Sequence, residues 1–278
     1  MTIIDARICA LGEGALWHPL REQLFWFDIL GNRMLSTDAR EWHFDEMVSA
    51  AGWVDHDTLL LASETALSRF NLTTSAREIV VPLEADNPIT RSNDGRADPM
   101  GGFWIGTMGK AAEPGAGAIY RLYKGELRLL FHNLTIPNAI CFAPDGRTGY
   151  FTDTATQIVN CVALDAQGWP DVTPEPFIDL RANGLNPDGA VTDAAGNLWI
   201  ALWGAGRIAV FDAQGNLQHS VSLPAPHITC PAFAGTTLYA TSATQGMDLT
   251  ALEQHPDAGK TFAIPNAGTG RTEPQVIL

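Results

Sequence analysis

Several polar residues in this 278-residue chain stand where the surrounding pattern asks for apolar or turn residues. Glu13 lies between two glycines in Leu11-Gly-Glu-Gly-Ala-Leu-Trp-His-Pro, just ahead of an expected strand. Glycines on both sides let backbone approach closely, which suits a carboxylate facing a crowded centre. Arg91 and Asn93, with Asp94 beside them, precede an aromatic strand in Arg91-Ser-Asn-Asp-Gly-Arg-Ala-Asp-Pro; Asn138 opens the apolar run Pro137-Asn-Ala-Ile-Cys-Phe; Asp188 lies in Asn186-Pro-Asp-Gly-Ala-Val. Each cluster leads an aromatic strand marker by about a dozen residues: Glu13 before Trp26, Asn93 before Trp104, Asn138 before Tyr150 and Asp188 before Trp199. A shared offset places these side chains at one level of different repeats, from which they can converge on an axis. Two carboxylates crowded there are costly unless a cation compensates them. Glu13, Asn138 and Asp188 all offer oxygen, a set that suits Ca²⁺, Mg²⁺ or Mn²⁺ better than a structural zinc.

Each residue also has a local reading. Asp188 in Pro-Asp-Gly could be a turn former, as Asp145 in Pro144-Asp-Gly is expected to be. Asn138 could end a strand, and Arg91 with Asn93 could lock a loop by hydrogen bonds. Glu13 is harder to explain locally, because two glycines do not require an acid between them. His18 and His227 lie near these segments and are expected to pack. The sequence has no Gly-x-Ser-x-Gly elbow, no phosphate-binding Gly-Lys-Ser/Thr loop and no His-Glu-x-x-His helix motif.

The elements that must carry these residues are strands. Short apolar or alternating runs recur between Gly, Pro, Asp and Asn, among them Gln23 to Ile29, Gly102 to Gly106, Gly149 to Asp153 and Asn197 to Leu202. The turns ahead of them look alike: Asp98-Pro-Met-Gly-Gly-Phe-Trp, Pro144-Asp-Gly-Arg-Thr-Gly-Tyr and Asp193-Ala-Ala-Gly-Asn-Leu-Trp. Aligned strand positions give Trp26, Leu60, Trp104, Tyr150, Trp199 and Tyr239, at intervals of roughly 35 to 50 residues, the period of a four-stranded propeller blade. The pattern predicts an all-β, six-bladed β-propeller spanning 1–278 as one domain. A β-sandwich is the alternative, but it needs no repeat of blade length.

Composition narrows the partners. The net charge is −14 and no basic block exists, which argues against nucleic-acid and anionic-membrane binding. Cys9, Cys141, Cys161 and Cys230 are far apart and read as buried thiols, not a disulfide framework or zinc site. With no leader-like start and no apolar run long enough to cross a membrane, the expectation is a cytoplasmic protein.

At these residues the chain resembles the family of senescence marker protein-30, gluconolactonase and luciferin-regenerating enzyme. The resemblance rests on Gly12-Glu-Gly-Ala-Leu-Trp-His-Pro, the block from Arg91 to Met108, Pro137-Asn-Ala, and Pro187-Asp-Gly followed by Gly196-Asn-Leu-Trp-Ile-Ala. It continues through Thr241-Ser-Ala-Thr-Gln-Gly-Met-Asp and Pro256-Asp-Ala-Gly-Lys-Thr-Phe. The Arg91 to Met108 block is the specific part. The resemblance implies a six-bladed propeller with one divalent ion (Ca²⁺, Mg²⁺, Mn²⁺ or Zn²⁺) on Glu13, Asn138 and Asp188. It further implies a sugar-contacting pair, Arg91 and Asn93, and a carboxylate in the loop after Met108, for which Glu113 is the nearby acid. Where the family commonly has Gly after the asparagine, this chain has Ala139. The implied reaction is hydrolysis of a sugar lactone, with Asp188 as both metal ligand and proton acceptor. A phosphotriesterase using the same pocket and a non-enzymatic calcium-binding propeller are the competing readings. The first predicts a mainly apolar lining; the second predicts binding residues on the rim.

Overall fold

The runs bounded by Gly and Asp fold as strands, and the turns between them close as their residues dictate. Asp98 Oδ1 accepts the N–H groups of Met100 and Gly102 at 2.8 and 3.0 Å, and Asp193 Oδ1 accepts those of Ala195 and Asn197, both at 2.9 Å. Gly101 and Gly196 then turn the chain at φ of +88° and +87°. The computed structural model describes residues 1–278; besides strands it has one short α-helix, Leu249–Gln254, and two 3-10 turns. No helix is long and apolar enough to cross a membrane.

The architecture is all-β and propeller-like. Four four-stranded antiparallel sheets follow one another, each a meander in chain order, beginning with Gly12–His18, Val48–Trp53, Thr90–Ala97 and Pro137–Phe142 respectively. The fifth sheet has eight strands, where two separate blades were expected. It consists of two four-stranded groups, one starting at Asn186–Thr192 and the other at His227–Ala234, that share a single residue pair, Trp203 with His227. The outermost strand of the second group is the N-terminal Thr2–Asp5, paired with Thr261–Ile264, so the start of the chain completes its end.

Apolar side chains fill the spaces between successive sheets. Trp104 and Ile119 pack with Ile140, Phe142 and Phe151 of the next sheet, and Ala15, Leu24 and Trp26 of the first sheet pack with Cys230 and Ala232 of the last group. The ring is therefore closed by side-chain packing as well as by the N-terminal strand. All six aligned markers lie on the second strand of their group; five are buried, and Tyr239 is half-buried.

The first strand of every group carries a register break. The breaks fall between Glu13 and Leu16, Val48 and Ala50, Ser92 and Gly95, Asn138 and Cys141, Pro187 and Ala190, and Ile228 and Pro231. An unpaired bulge residue kinks its strand and re-aims side chains that a regular ladder would point at the neighbouring sheet. Repeated around the ring, the bulges turn polar side chains toward the centre.

At the other end of the centre lies the C-terminal tail. Trp53 donates its indole N–H to the Glu273 carbonyl at 2.9 Å, Val276 N–H is bound by Trp53 O at 2.9 Å, and Ile277 N–H by Gly101 O at 2.8 Å. The Glu273 carboxylate meets Arg96 through two bonds of 3.0 and 2.9 Å, with both side chains buried.

Candidate active site

Glu13, Arg91, Asn93, Asn138 and Asp188 come from four different first strands and line one cavity of about 580 Å³. Each is at most 7% exposed. The glycines flanking Glu13 are required by close approach: a Cβ on Gly12 would lie 2.4 Å from Ser242 O, and one on Gly14, at φ +58°, would lie 2.2 Å from Ser49 O. The bulge at Asn138 makes a demand on backbone conformation instead, and Ala139 takes a left-handed φ of +55°. That geometry is the one glycine adopts most freely, so the departure from the family pattern keeps the bulge at a modest local strain.

The polar groups are tied across sheets. Arg91 Nη1 donates to Asn93 Oδ1 at 2.9 Å; Asn93 Nδ2 donates to Asn138 Oδ1 and to Pro137 O, both at 3.0 Å. Asn138 Nδ2 donates to Thr154 Oγ1 at 3.0 Å, and Thr154 donates on to Pro187 O at 2.7 Å. The hydrogen-bond network expected of Arg91 and Asn93 thus ties two strands together in the cavity wall, not a loop.

The electrostatics are unbalanced toward negative charge. Burial pushes Glu13 well above the usual carboxylate range, and the nearby Asp188 and Asp94 push it further. Burial does the same to Asp188, with Asp94 adding to it, while the Gly189 N–H and Arg91 oppose. Asp94 is raised to about 6, chiefly by burial, against the Ile140 N–H and the Arg96 charge. Burial lowers Arg91 to about 10, although Glu13, Asp188 and Glu64 pull it up. Arg96 is already engaged by Glu273, which leaves Arg91 as the cation facing Glu13 and Asp188. No three His, Cys, Asp or Glu side chains stand at metal-binding spacing; the donor set here is two carboxylates and an amide. Buried carboxylates short of compensating charge, beside an amide oxygen, fit a hard divalent cation.

Glu113 is placed differently. Its Oε2 accepts the Ala111 N–H at 3.1 Å, holding the turn after Gly109, and Glu113 is absent from the cavity wall. Lys110, Ala111 and Ala112 line the mouth instead, with Lys110 paired to Glu64. His18 packs as expected, buried and bonded through Nε2 to Asp55 O at 2.9 Å. His227 also packs, its ring stacked on Trp203 at 4.1 Å and 7°, but that pair forms part of the cavity wall. Thr154 and Trp203 carry no signal in the sequence: Thr154 sits just past the end of its strand, Trp203 is the last residue of Leu198–Trp203, and both reach the cavity only through tertiary packing. All four cysteines are free, and three of them are buried.

The chain is similar to known proteins in both sequence and fold. A family model described as the SMP-30/Gluconolactonase/LRE-like region covers residues 11–244. An L-arabinolactonase of Azospirillum brasilense is 34% identical over 272 residues, covering 94% of this chain and 90% of the relative. A pentonolactonase of Haloferax volcanii is 31% identical over 277 residues, covering 95% and 94%. Among solved structures, a calcium-binding protein, regucalcin, from Agrobacterium tumefaciens superimposes with a TM-score of 0.97 at 38% identity, covering 99% of this chain and 97% of that one.

Proposed function

The chain belongs to the SMP-30/gluconolactonase/LRE-like family, and from that premise we propose that it is a metal-dependent lactonase opening a five- or six-carbon sugar aldonolactone to the aldonic acid. The observation that carries this reading is the convergence of Glu13, Asn138 and Asp188 with Arg91 and Asn93 on one cavity. A volume of about 580 Å³ is ample for one sugar ring.

Glu13, Asn138 and Asp188 hold one divalent cation, Ca²⁺, Mg²⁺, Mn²⁺ or Zn²⁺. When bound, such an ion supplies Lewis acidity to the lactone carbonyl and offsets negative charge that develops on its oxygen. Arg91 and Asn93 orient the substrate through its hydroxyls or carbonyl, and this positioning lowers the entropic part of the barrier. Asp188 accepts a proton from the attacking water as the water oxygen bonds to the carbonyl carbon. The ring C–O bond then breaks, and the departing ring oxygen takes the proton back from Asp188 to become a hydroxyl. Trp203, stacked on His227, and Met108 give the wall an apolar face for the C–H side of the ring.

The ring of sheets supports six blades in one domain over 1–278. The eight-stranded sheet holds two four-stranded groups joined at one pair, and with the four other sheets this makes six groups. Unpaired cysteines suit a reducing compartment, in keeping with a cytoplasmic location. A phosphotriesterase would want a mainly apolar lining, whereas Arg91, Asn93 and Asn138 favour a hydroxylated substrate; a calcium-binding propeller without activity would not need the deep polar cavity.

The test is acid release from a panel of pentono- and hexonolactones by metal-stripped protein, given one ion at a time. Opening of at least one lactone, restored by a divalent ion, is expected. If no ion supports opening of any aldonolactone, the proposal falls.

A further inference from the structure

We propose that Thr154 is a positioning residue that fixes the amide of Asn138 with its oxygen toward the cavity centre, and that the strength of cation binding depends on it. The inference rests on the reading of Asn138 as a metal ligand.

Hydrogen-bond polarity decides which way the Asn138 amide points. An asparagine amide can point either way, and its orientation is settled by what its neighbours are able to give or take. Here both ends of the chain of bonds are fixed. Arg91 at one end can only donate, and it donates to Asn93 Oδ1 at 2.9 Å. That turns the Asn93 NH₂ toward Asn138 Oδ1 and Pro137 O, each at 3.0 Å. The Pro187 carbonyl at the other end can only accept, and it takes the Thr154 hydroxyl hydrogen at 2.7 Å. Thr154 Oγ1 therefore presents a lone pair to Asn138, which answers with its NH₂ at 3.0 Å. With the NH₂ held on that side, the oxygen must face Asn93 and the interior. An oxygen with two lone pairs can serve Asn93 and a cation together; an NH₂ in the same place could serve neither.

Position makes Thr154 suited to this task. It opens a short 3-10 turn whose N-cap is Asp153, and Asp153 holds the loop by accepting the N–H groups of Thr135 and Ile136, both at 2.9 Å, and of Ala155 at 3.2 Å. Pro187 immediately precedes Asp188, so the hydroxyl links the strand carrying Asn138 to the strand carrying Asp188. Outer partners that orient a ligand typically cost ten- to a hundredfold in metal affinity when removed.

The experiment is calorimetric titration of Ca²⁺, and separately Mn²⁺, into chelator-stripped full-length protein. The variants are Thr154→Val, which keeps the shape and removes the hydroxyl, Thr154→Ser, which restores it, and Asn138→Ala. Thr154→Val is expected to weaken binding by about tenfold or more, Thr154→Ser to bind as the parent does, and the melting temperature of the metal-free proteins to stay level. If Asn138→Ala weakens binding but Thr154→Val does not, the orienting role is overturned while the ligand reading stands. If Asn138→Ala binds as the parent does, the ligand reading itself fails and takes this inference with it. A loss that Thr154→Ser does not reverse, or that accompanies a collapsed melting temperature, also overturns the orienting role.

Discussion

Asp94 Oδ2 accepts the main-chain N–H of Ile140 at 2.8 Å, so a buried carboxylate of one sheet pins the bulge that presents Asn138 on the next. The bond fixes geometry at an electrostatic cost, because Asp94 also raises the proton affinity of Glu13 and Asp188. The site is assembled from carboxylates that burial pushes toward the neutral form.

A pH dependence of metal stabilisation follows. A carboxyl raised in the folded state disfavours that state when ionised; the penalty is full above the folded pKa and is relieved as pH falls toward the unfolded value. For Asp94 the relief runs from about 6 down to 3.8, and for Glu13 and Asp188 it lies higher than their ordinary range. A divalent cation relieves the same penalty at neutral pH, in competition with protons. The gain in melting temperature on adding Ca²⁺ or Mn²⁺ to stripped protein should be largest near pH 8 and shrink toward pH 5. His18 and His227, lowered by burial, act in the opposite sense below their unfolded values. A gain that is constant with pH would contradict this picture of the site.

Asp188→Asn separates function from stability. The amide keeps the shape and hydrogen-bonding size but cannot take a proton, so kcat should fall by about a hundredfold or more. In metal-free protein the same change removes one buried charge from the group of Glu13, Asp94 and Asp188, all of them buried. Urea unfolding of the stripped variant should therefore give equal or higher stability than the parent. Wild-type turnover in this variant would remove Asp188 from the chemistry.

Gly14→Ala tests whether the bulge at Glu13 needs its glycine. The new Cβ would meet Ser49 O at 2.2 Å and a Phe27 ring carbon at 2.8 Å, at φ +58°. Left-handed strain and overpacking together should cost about 2–4 kcal/mol. Gly125→Ala is the control: φ is +76°, but nothing lies within 4 Å, so the strain alone, about 1–2 kcal/mol, should appear. Equal losses in denaturant unfolding at the two positions would show that close packing at Gly14 has no energetic weight.

Much of this was legible in the chain. The turn aspartates, the second-strand aromatics and the polar residues ahead of them are short-range patterns, and Glu13 between Gly12 and Gly14 by itself marks a crowded position. What the sequence could not carry was set by contacts between distant strands. The single pairing of Trp203 with His227, which merges two strand groups into one sheet, depends on where loops settle. Thr154 and the stacked Trp203 enter the cavity from the far ends of their strands, and no periodicity marks them. Glu113 was the nearest acid to Met108 along the chain, but the turn folds it back on Ala111 N–H. Nearness in sequence within a loop says little about which way a side chain faces.

The C-terminal tail is held by a buried ion pair. Glu273 is 9% exposed and Arg96 6%, and the carboxylate takes two bonds from one guanidinium nitrogen. Arg96 Nη2 also reaches Pro231 O at 3.2 Å, so the pair joins the tail, the third sheet and the last strand group. Truncating one partner leaves the other charge buried and unpaired, which typically costs about 3–5 kcal/mol. Glu273→Ala should lose that much in denaturant unfolding. Replacing the pair together, Arg96→Met with Glu273→Leu, removes both desolvation costs and should recover most of the loss. Its effect on the site should be separable, since Arg96 is one of the groups opposing the upward shift of Asp94. In the double variant that opposition is gone, so the decline of metal stabilisation should begin at a higher pH than in the parent. A double variant as unstable as Glu273→Ala would show that the tail is held by geometry that only the ion pair provides.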